Sequence, residues 1–142
     1  MAKIRIAVAG AGLMGRRHIE EIRKNPKAQL ASIVDPSPHA AEVAKTETVR
    51  LYPSLRDMIV SDRPDGVILA TPNRLHVEQA LECVAWILPV LVEKPIAHTV
   101  EEGERLVDAA ERVKAKLIVG HHRSHSTILH KTAEIVKSSV NV

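Results

Sequence analysis

The chain is predicted to be an α/β protein, a doubly wound parallel sheet of six strands with helices on both faces. Three observations predict it. Short β-rich apolar runs alternate with helix-like stretches along the whole length. The core must be aliphatic, because the 142 residues hold no Phe, one Trp and one Tyr. The strands are also too apolar for a sheet with one wet face, which calls for helices on both sides. The length is that of one domain of roughly 100–200 residues, so residues 1–142 are read as a single unit.

The first strand is expected over residues 3–9, where the apolar run from Ile4 to Ala9 breaks into Gly10-Ala11-Gly12-Leu13-Met14-Gly15. A helix over 13–24 follows. The second strand, 29–34, is closed by Asp35, and Pro36 disfavours helical geometry before it and so fixes the strand end. The periodicity then gives a helix over 38–45, a strand over 48–52, a helix over 54–61 and a strand over 66–70. After these come a helix over 74–86, a strand over 89–92, a helix over 100–114, a strand over 116–119 and a last helix near 128–138. Pro and Gly fall mostly at element ends, where the chain must turn. Strict βα alternation implies right-handed crossovers, and there is no internal repeat, low-complexity tract or flexible linker.

The net charge of +3 and pI near 9.2 arise from acids and bases that alternate rather than form blocks. With no stacking aromatics either, a nucleic-acid footprint is not expected. Cys83 has no partner for an internal disulfide, lies in an apolar helical stretch and reads as a small core residue rather than a nucleophile, in a reducing compartment. Lys3 and Arg5 ahead of Ala7-Val8-Ala9 mimic an export signal, but the apolar segment is short, broken by glycines and followed at once by Arg16 and Arg17. No run approaches the roughly 18 apolar residues of a membrane helix. The expectation is a cytoplasmic protein with no membrane partner.

A G-x-G-x-x-G hexapeptide is weak evidence alone. Here a strand precedes it, a helix follows, and Asp35 stands twenty positions after Gly15, which together read as a Rossmann-type dinucleotide site. Gly10 permits the tight turn, Gly12 lets the backbone approach a pyrophosphate, and Gly15 allows close helix–strand packing, with Leu13 and Met14 opening the helix between them. Arg16 and Arg17 oppose the helix dipole in its first turns, so a bound anion would relieve them, unless both side chains simply point into water. Asp35 can accept both ribose hydroxyls, whereas a 2′-phosphate would meet like charge and find no Arg or Lys in Pro36-Ser37-Pro38-His39. NAD is therefore expected over NADP. As a mere turn or helix-start residue, Asp35 would carry no such meaning.

Three further segments fall at the carboxyl ends of strands: Ala70-Thr71-Pro72-Asn73-Arg74-Leu75-His76, Glu93-Lys94-Pro95 and Gly120-His121-His122-Arg123. With Arg16-Arg17-His18 after the glycine turn, they resemble the glucose-fructose oxidoreductase/inositol dehydrogenase/MocA family of nicotinamide-dependent sugar and polyol oxidoreductases. The resemblance spans nearly the whole chain, and Glu-Lys-Pro after an apolar strand is its most specific part. It implies that Thr71, Pro72 and Asn73 run past the cofactor, that His76 begins the next helix, and that Pro95 follows a cis peptide. It also implies that Glu93 and Lys94 border the cofactor, with Lys94 reaching nicotinamide and substrate hydroxyl as the catalytic candidate. Without the resemblance, Glu93-Lys94 would be an ordinary exposed ion pair. Arg123, and with it His122, is a candidate cofactor contact or a solvated loop residue. A metal cluster of His121, His122 and His125 is not expected, for want of a carboxylate or thiolate in that stretch.

Two departures from the family pattern stand out. Relatives usually carry Gly where the helix before the Pro89 strand ends, and this chain has Ala85-Trp86-Ile87-Leu88; since a left-handed terminus is costly for Ile87, the turn is expected to be built differently. The chain also stops where the family continues into a sheet-rich substrate domain, which leaves the main acid/base residue unassigned and a homo-oligomer open. The resemblance implies hydride transfer between a secondary alcohol of a sugar or polyol and the nicotinamide ring, with NAD bound but little turnover by the chain alone. The alternative is a non-catalytic, NAD-binding, redox-responsive regulator.

Overall fold

A computed structural model describes residues 2–121 and 126–139. In chain order it contains β1 (Ile4–Ala9), α1 (Leu13–Lys24), β2 (Ala28–Val34), α2 (Ala40–Glu47), β3 (Arg50–Tyr52) and α3 (Leu55–Asp62). Then follow β4 (Gly66–Leu69), a 3-10 turn (Asn73–Leu75), α4 (His76–Ala85), β5 (Val90–Val92), α5 (Val100–Arg112), β6 (Leu117–Val119) and α6 (Thr127–Ser139). The six strands form one sheet in the order β3-β2-β1-β4-β5-β6, and every adjacent pair is parallel. The expected α/β class and doubly wound arrangement are observed.

Alternation along the strands sends side chains to opposite faces, and each face is covered. Val8 and Ile33 pack with Ile19 and Ile22 of α1 and Ala40 and Ala44 of α2. Ala7, Ala9, Val34, Val67, Leu69, Val90 and Val92 pack with Met58 of α3, Val77, Ala80 and Cys83 of α4 and Leu106 of α5. Burial pushes the Cys83 thiol up to about 12, as befits a core residue rather than a nucleophile.

Local signals set the helix ends. The Ser54 hydroxyl accepts the Asp57 N–H at 3.2 Å to start α3. Thr99 accepts the Glu102 N–H at 3.2 Å and Glu102 reaches back to the His98 N–H at 3.1 Å, which starts α5. The expectation that the turn after α4 avoids a left-handed residue is overturned. Ile87 has φ 49°, with its N–H bonded to Val84 O at 2.9 Å and the Leu88 N–H to Cys83 O at 2.9 Å, a left-handed helix stop made without glycine. The physical reason is what the stop delivers: Leu88 is only 1% exposed while the Ile87 side chain is 62% exposed. Burying a Leu contributes about 1.5–3 kcal/mol, enough to offset the roughly 1–2 kcal/mol cost of a left-handed residue. Thr48 and Lys114, after α2 and α5, have φ 56° and 53° and close their helices in the same way.

The strand order reverses between β1 and β4, and there the chain leaves both strands at their carboxyl ends, Gly10 beside Ala70. The Gly10 N–H bonds to Val34 O and the Ala70 N–H to Ala9 O, each at 2.8 Å. A switch point of this kind leaves a crevice that only the following loops can wall.

Candidate dinucleotide site

The glycine turn is shaped by three different demands. Gly10 sits at φ 92°, and a Cβ there would lie 2.5 Å from the Ala70 carbonyl oxygen. At Gly15 a Cβ would lie 1.8 Å from the Gly10 carbonyl oxygen, so α1 can cross the end of β1 only without a side chain at this position. Gly12 differs from both: its backbone is extended at φ −73° and ψ −165°, and a Cβ would meet nothing within 4 Å. The fold does not need a glycine at position 12, and the space beside it opens on the crevice. Gly12 provides no side-chain cap for α1, and the first turn of that helix holds Arg16 and no acid. Its leading amides are therefore available to an anion.

Two cavities share Met14, Ala70 and Thr71 and so form one trough along the carboxyl edge of the sheet. The larger, about 700 Å³, is lined by Gly10, Gly12, Leu13, Met14, Asp35, Thr71 and Pro72, together with Ser37, His39, Leu55 and Leu75. The smaller, about 330 Å³, is lined by Met14, Arg17, His18, Thr71, Asn73, His76, Glu93 and Lys94. Asp35 thus stands at one end of the trough and Lys94 at the other.

Asp35 follows β2 directly. Its Oδ2 accepts the Ala11 N–H at 2.8 Å, and its Oδ1 accepts the Ser37 N–H at 2.8 Å and the Ser37 hydroxyl. Burial alone would raise its pKa, but the bonds from Ala11 and Ser37 outweigh burial and hold the carboxyl below its ordinary value. The carboxylate anchors the glycine turn as well as facing the trough. Three of its roughly four lone-pair directions are taken by these bonds.

His76 opens α4 as expected and is fully buried. Its Nδ1 lies 2.8 Å from the Pro95 carbonyl oxygen and its Nε2 lies 2.9 Å from that of Thr71. One ring therefore ties the loop after β4 to the loop after β5, where the Lys94–Pro95 peptide is cis. The Thr71 hydroxyl donates to Gln79 Oε1 at 2.6 Å, which fixes the same loop from α4. Glu93 is buried, with its Oε1 2.8 Å from His18 Nε2, whereas Lys94 beside it is exposed.

Of the residues singled out around the glycine turn, Gly15 and Arg16 line neither cavity; Gly15 acts by letting helix and strand touch. Arg123, with His122 and His125, lies outside the described residues. Sequence reasoning did not assign His18 and Gln79 to the site. For His18 a signal was present: Met14, Arg17 and His18 stand at helical spacings of three and four and share a face of α1.

The chain matches the family described as "Oxidoreductase family, NAD-binding Rossmann fold", the glucose-fructose oxidoreductase/inositol dehydrogenase/MocA family, over residues 4–121. It belongs to this family. The rhizopine catabolism protein MocA of Rhizobium meliloti is 33% identical over 123 residues, covering 87% of this chain and 39% of that protein. The inositol 2-dehydrogenase of Rubrobacter xylanophilus is 32% identical over 126 residues, covering 87% of this chain and 36% of the relative. Among solved structures, the WlbA dehydrogenase of Bordetella pertussis, in complex with NADH and UDP-GlcNAcA, superposes with a TM-score of 0.85 at 31% identity. That match covers 99% of this chain and 40% of WlbA. The chain thus spans about two fifths of the length of the relatives it matches, and what it shares with them is the NAD-binding Rossmann fold. Among the described residues no helix is long and apolar enough to cross a membrane, and no group of three His, Cys, Asp or Glu could hold a metal ion.

Proposed function

We propose that the trough holds NAD in an extended form, with the adenosine end against Asp35, the pyrophosphate over Gly12 and the amides of α1, and the nicotinamide end between Met14 and Lys94. The observation that carries this reading is the vacancy at Gly12. A position where the fold tolerates a side chain, at the uncapped start of a helix and in the middle of a trough, is explained by a ligand that needs the backbone bare. Asp35 receives the ribose diol by exchanging the Ser37 hydroxyl for it, and repels a 2′-phosphate. Gly10, Leu13, Thr71, Pro72 and Asn73 wall the trough, and Arg123 remains a candidate contact.

In the complete enzyme the reaction is oxidation of a secondary alcohol of a sugar or polyol. The nicotinamide ring, when bound, supplies the hydride acceptor. Lys94 hydrogen-bonds the reacting hydroxyl and belongs to the proton relay. His76 and Glu93 hold its loop. The named relatives are a catabolic protein and dehydrogenases, which favours an oxidoreductase over a redox-responsive regulator. The protein works in the cytoplasm on a small-molecule substrate. Alone, the 142-residue chain binds NAD and turns over sugar poorly, because orientation and exclusion of water need further walls.

The test is calorimetric titration with NAD and NADP, repeated on Asp35→Ser. Saturable NAD binding, weaker NADP binding and a narrowed difference in the variant are expected. Equal affinity of the parent chain for both cofactors would remove Asp35 from the argument, and an absence of binding would remove the site.

A further inference from the structure

The smaller cavity has an unusual charge balance. Arg17, His18, His76 and Lys94 line it with cationic or protonatable nitrogens, and Glu93 is the one carboxylate among its described lining residues. A nicotinamide ring is a cation when oxidised and neutral when reduced. An oxidised ring entering such surroundings is repelled unless an anion faces it.

Glu93 is built to be that anion. It leaves β5 at the carboxyl edge of the sheet and is only 7% exposed. Its Oε1 meets His18 Nε2 of α1 at 2.8 Å, and its Oε2 accepts the Lys94 N–H at 3.3 Å. The exit of β6 leaves room for it: a Cβ at Gly120 would lie 3.2 Å from the Glu93 carboxylate, so a larger residue there would displace the group. A buried carboxylate is costly unless hydrogen-bonded. Contacts from α1, its own loop and the β6 exit confine this one at the edge of the cavity.

We propose that Glu93, oriented by His18, is the counter-charge for the oxidised nicotinamide, so that the pair sets the preference of this site for NAD⁺ over NADH. Glu93 supplies the charge, and His18 is a positioning residue that ties this charge to the helix whose first amides face the pyrophosphate. The inference rests on the dinucleotide reading above and assigns the polarity of its nicotinamide end.

The experiment measures calorimetric dissociation constants for NAD⁺, NADH and ADP-ribose on the 142-residue chain, on Glu93→Gln and on His18→Gln. ADP-ribose lacks the ring and reports the adenosine half alone. In Glu93→Gln the NADH-to-NAD⁺ ratio of dissociation constants is expected to fall about tenfold, the change expected for one lost charge at the edge of a solvent-open cavity. ADP-ribose affinity should stay as in the parent. His18→Gln, which keeps a hydrogen-bond donor for the buried carboxylate, should retain the ratio. An unchanged ratio in Glu93→Gln with ADP-ribose binding intact overturns the proposal, as does a fall in His18→Gln; the latter decides the matter if Glu93→Gln does not fold. Failure of the parent chain to bind ADP-ribose would instead overturn the dinucleotide reading itself.

Discussion

Gly12→Ala separates binding from folding. The residue lies at φ −73° and ψ −165°, a region open to any L-residue, and the added methyl meets no atom within 4 Å. Two small effects on stability oppose each other. Loss of glycine's freedom in the unfolded chain stabilises by about 0.4–1 kcal/mol, and alanine is a poorer helix N-cap than glycine by a comparable amount, on the order of 0.5–1 kcal/mol. The net change should fall within about 0.5 kcal/mol. For a chain of 142 residues, with an unfolding entropy near 2.1 cal/mol/K per residue, that is a Tm shift of about 2 °C or less. NAD affinity should nevertheless drop by at least tenfold, about 1.4 kcal/mol, because the methyl occupies the approach of the pyrophosphate. Gly15→Ala should do the reverse, since its methyl would lie 1.8 Å from the Gly10 carbonyl oxygen. Overpacking of that kind costs about 1–3 kcal/mol or more, or roughly 3–10 °C in Tm. Thermal melts beside NAD titrations decide the matter. A Gly12→Ala chain that binds NAD as tightly as its parent would refute the placement of the pyrophosphate.

Asp35 couples the site to pH. Its carboxyl is held below the ordinary value by Ala11 and Ser37 against the opposing pull of burial, so it contributes stability above the unfolded carboxylate pKa of about 3.9 that is lost as pH falls through the folded value. Asp35→Asn should flatten the acid limb of a stability-versus-pH curve measured by urea unfolding; an unaltered limb would show that the group does not couple. Ile87→Gly should stabilise by about 0.5–1 kcal/mol, raising Tm by about 2–3 °C, since relief of the left-handed strain exceeds glycine's entropy cost. Little burial is lost there, because the Ile87 side chain is 62% exposed, and a lowered Tm would contradict the account of this turn. His76→Ala should destabilise by about 2–4 kcal/mol, through a cavity and two carbonyl oxygens left without their partner. It should also weaken NAD binding by loosening the Thr71 loop, and a melt matching the parent's would deny the bridge its role.

The sheet was legible because each strand is a short apolar run that must be buried on both faces, and the strongest runs, Ile4–Ala9 and Ala28–Val34, form where the pattern put them. Residue patterns missed the helix ends where chemistry and backbone part company. Glycine is the usual marker of a left-handed stop, and Thr48, Ile87 and Lys114 make such stops without it, each because the residue after the stop must turn back toward the sheet. The first half of the site was similarly local. Gly10, Gly12 and Gly15 lie within one turn of chain, and the bond from Ala11 to Asp35 spans only the β1-α1-β2 unit.

The Lys94 end of the trough is different, because its contacts join segments that only the assembled sheet makes neighbours. His18 meets Glu93 across 75 residues, and His76 meets Pro95 across 19 residues and a strand. No local periodicity encodes either contact. What the sequence carries instead is the requirement that creates them: two loops leaving β4 and β5 side by side, each with buried polar groups that water cannot reach. A buried His76 between two carbonyl oxygens and a buried Glu93 against an imidazole satisfy that requirement. The side chains that satisfy the loops are also those that line the smaller cavity, so the polar packing that closes the sheet edge and the chemistry of the site are set by the same few residues.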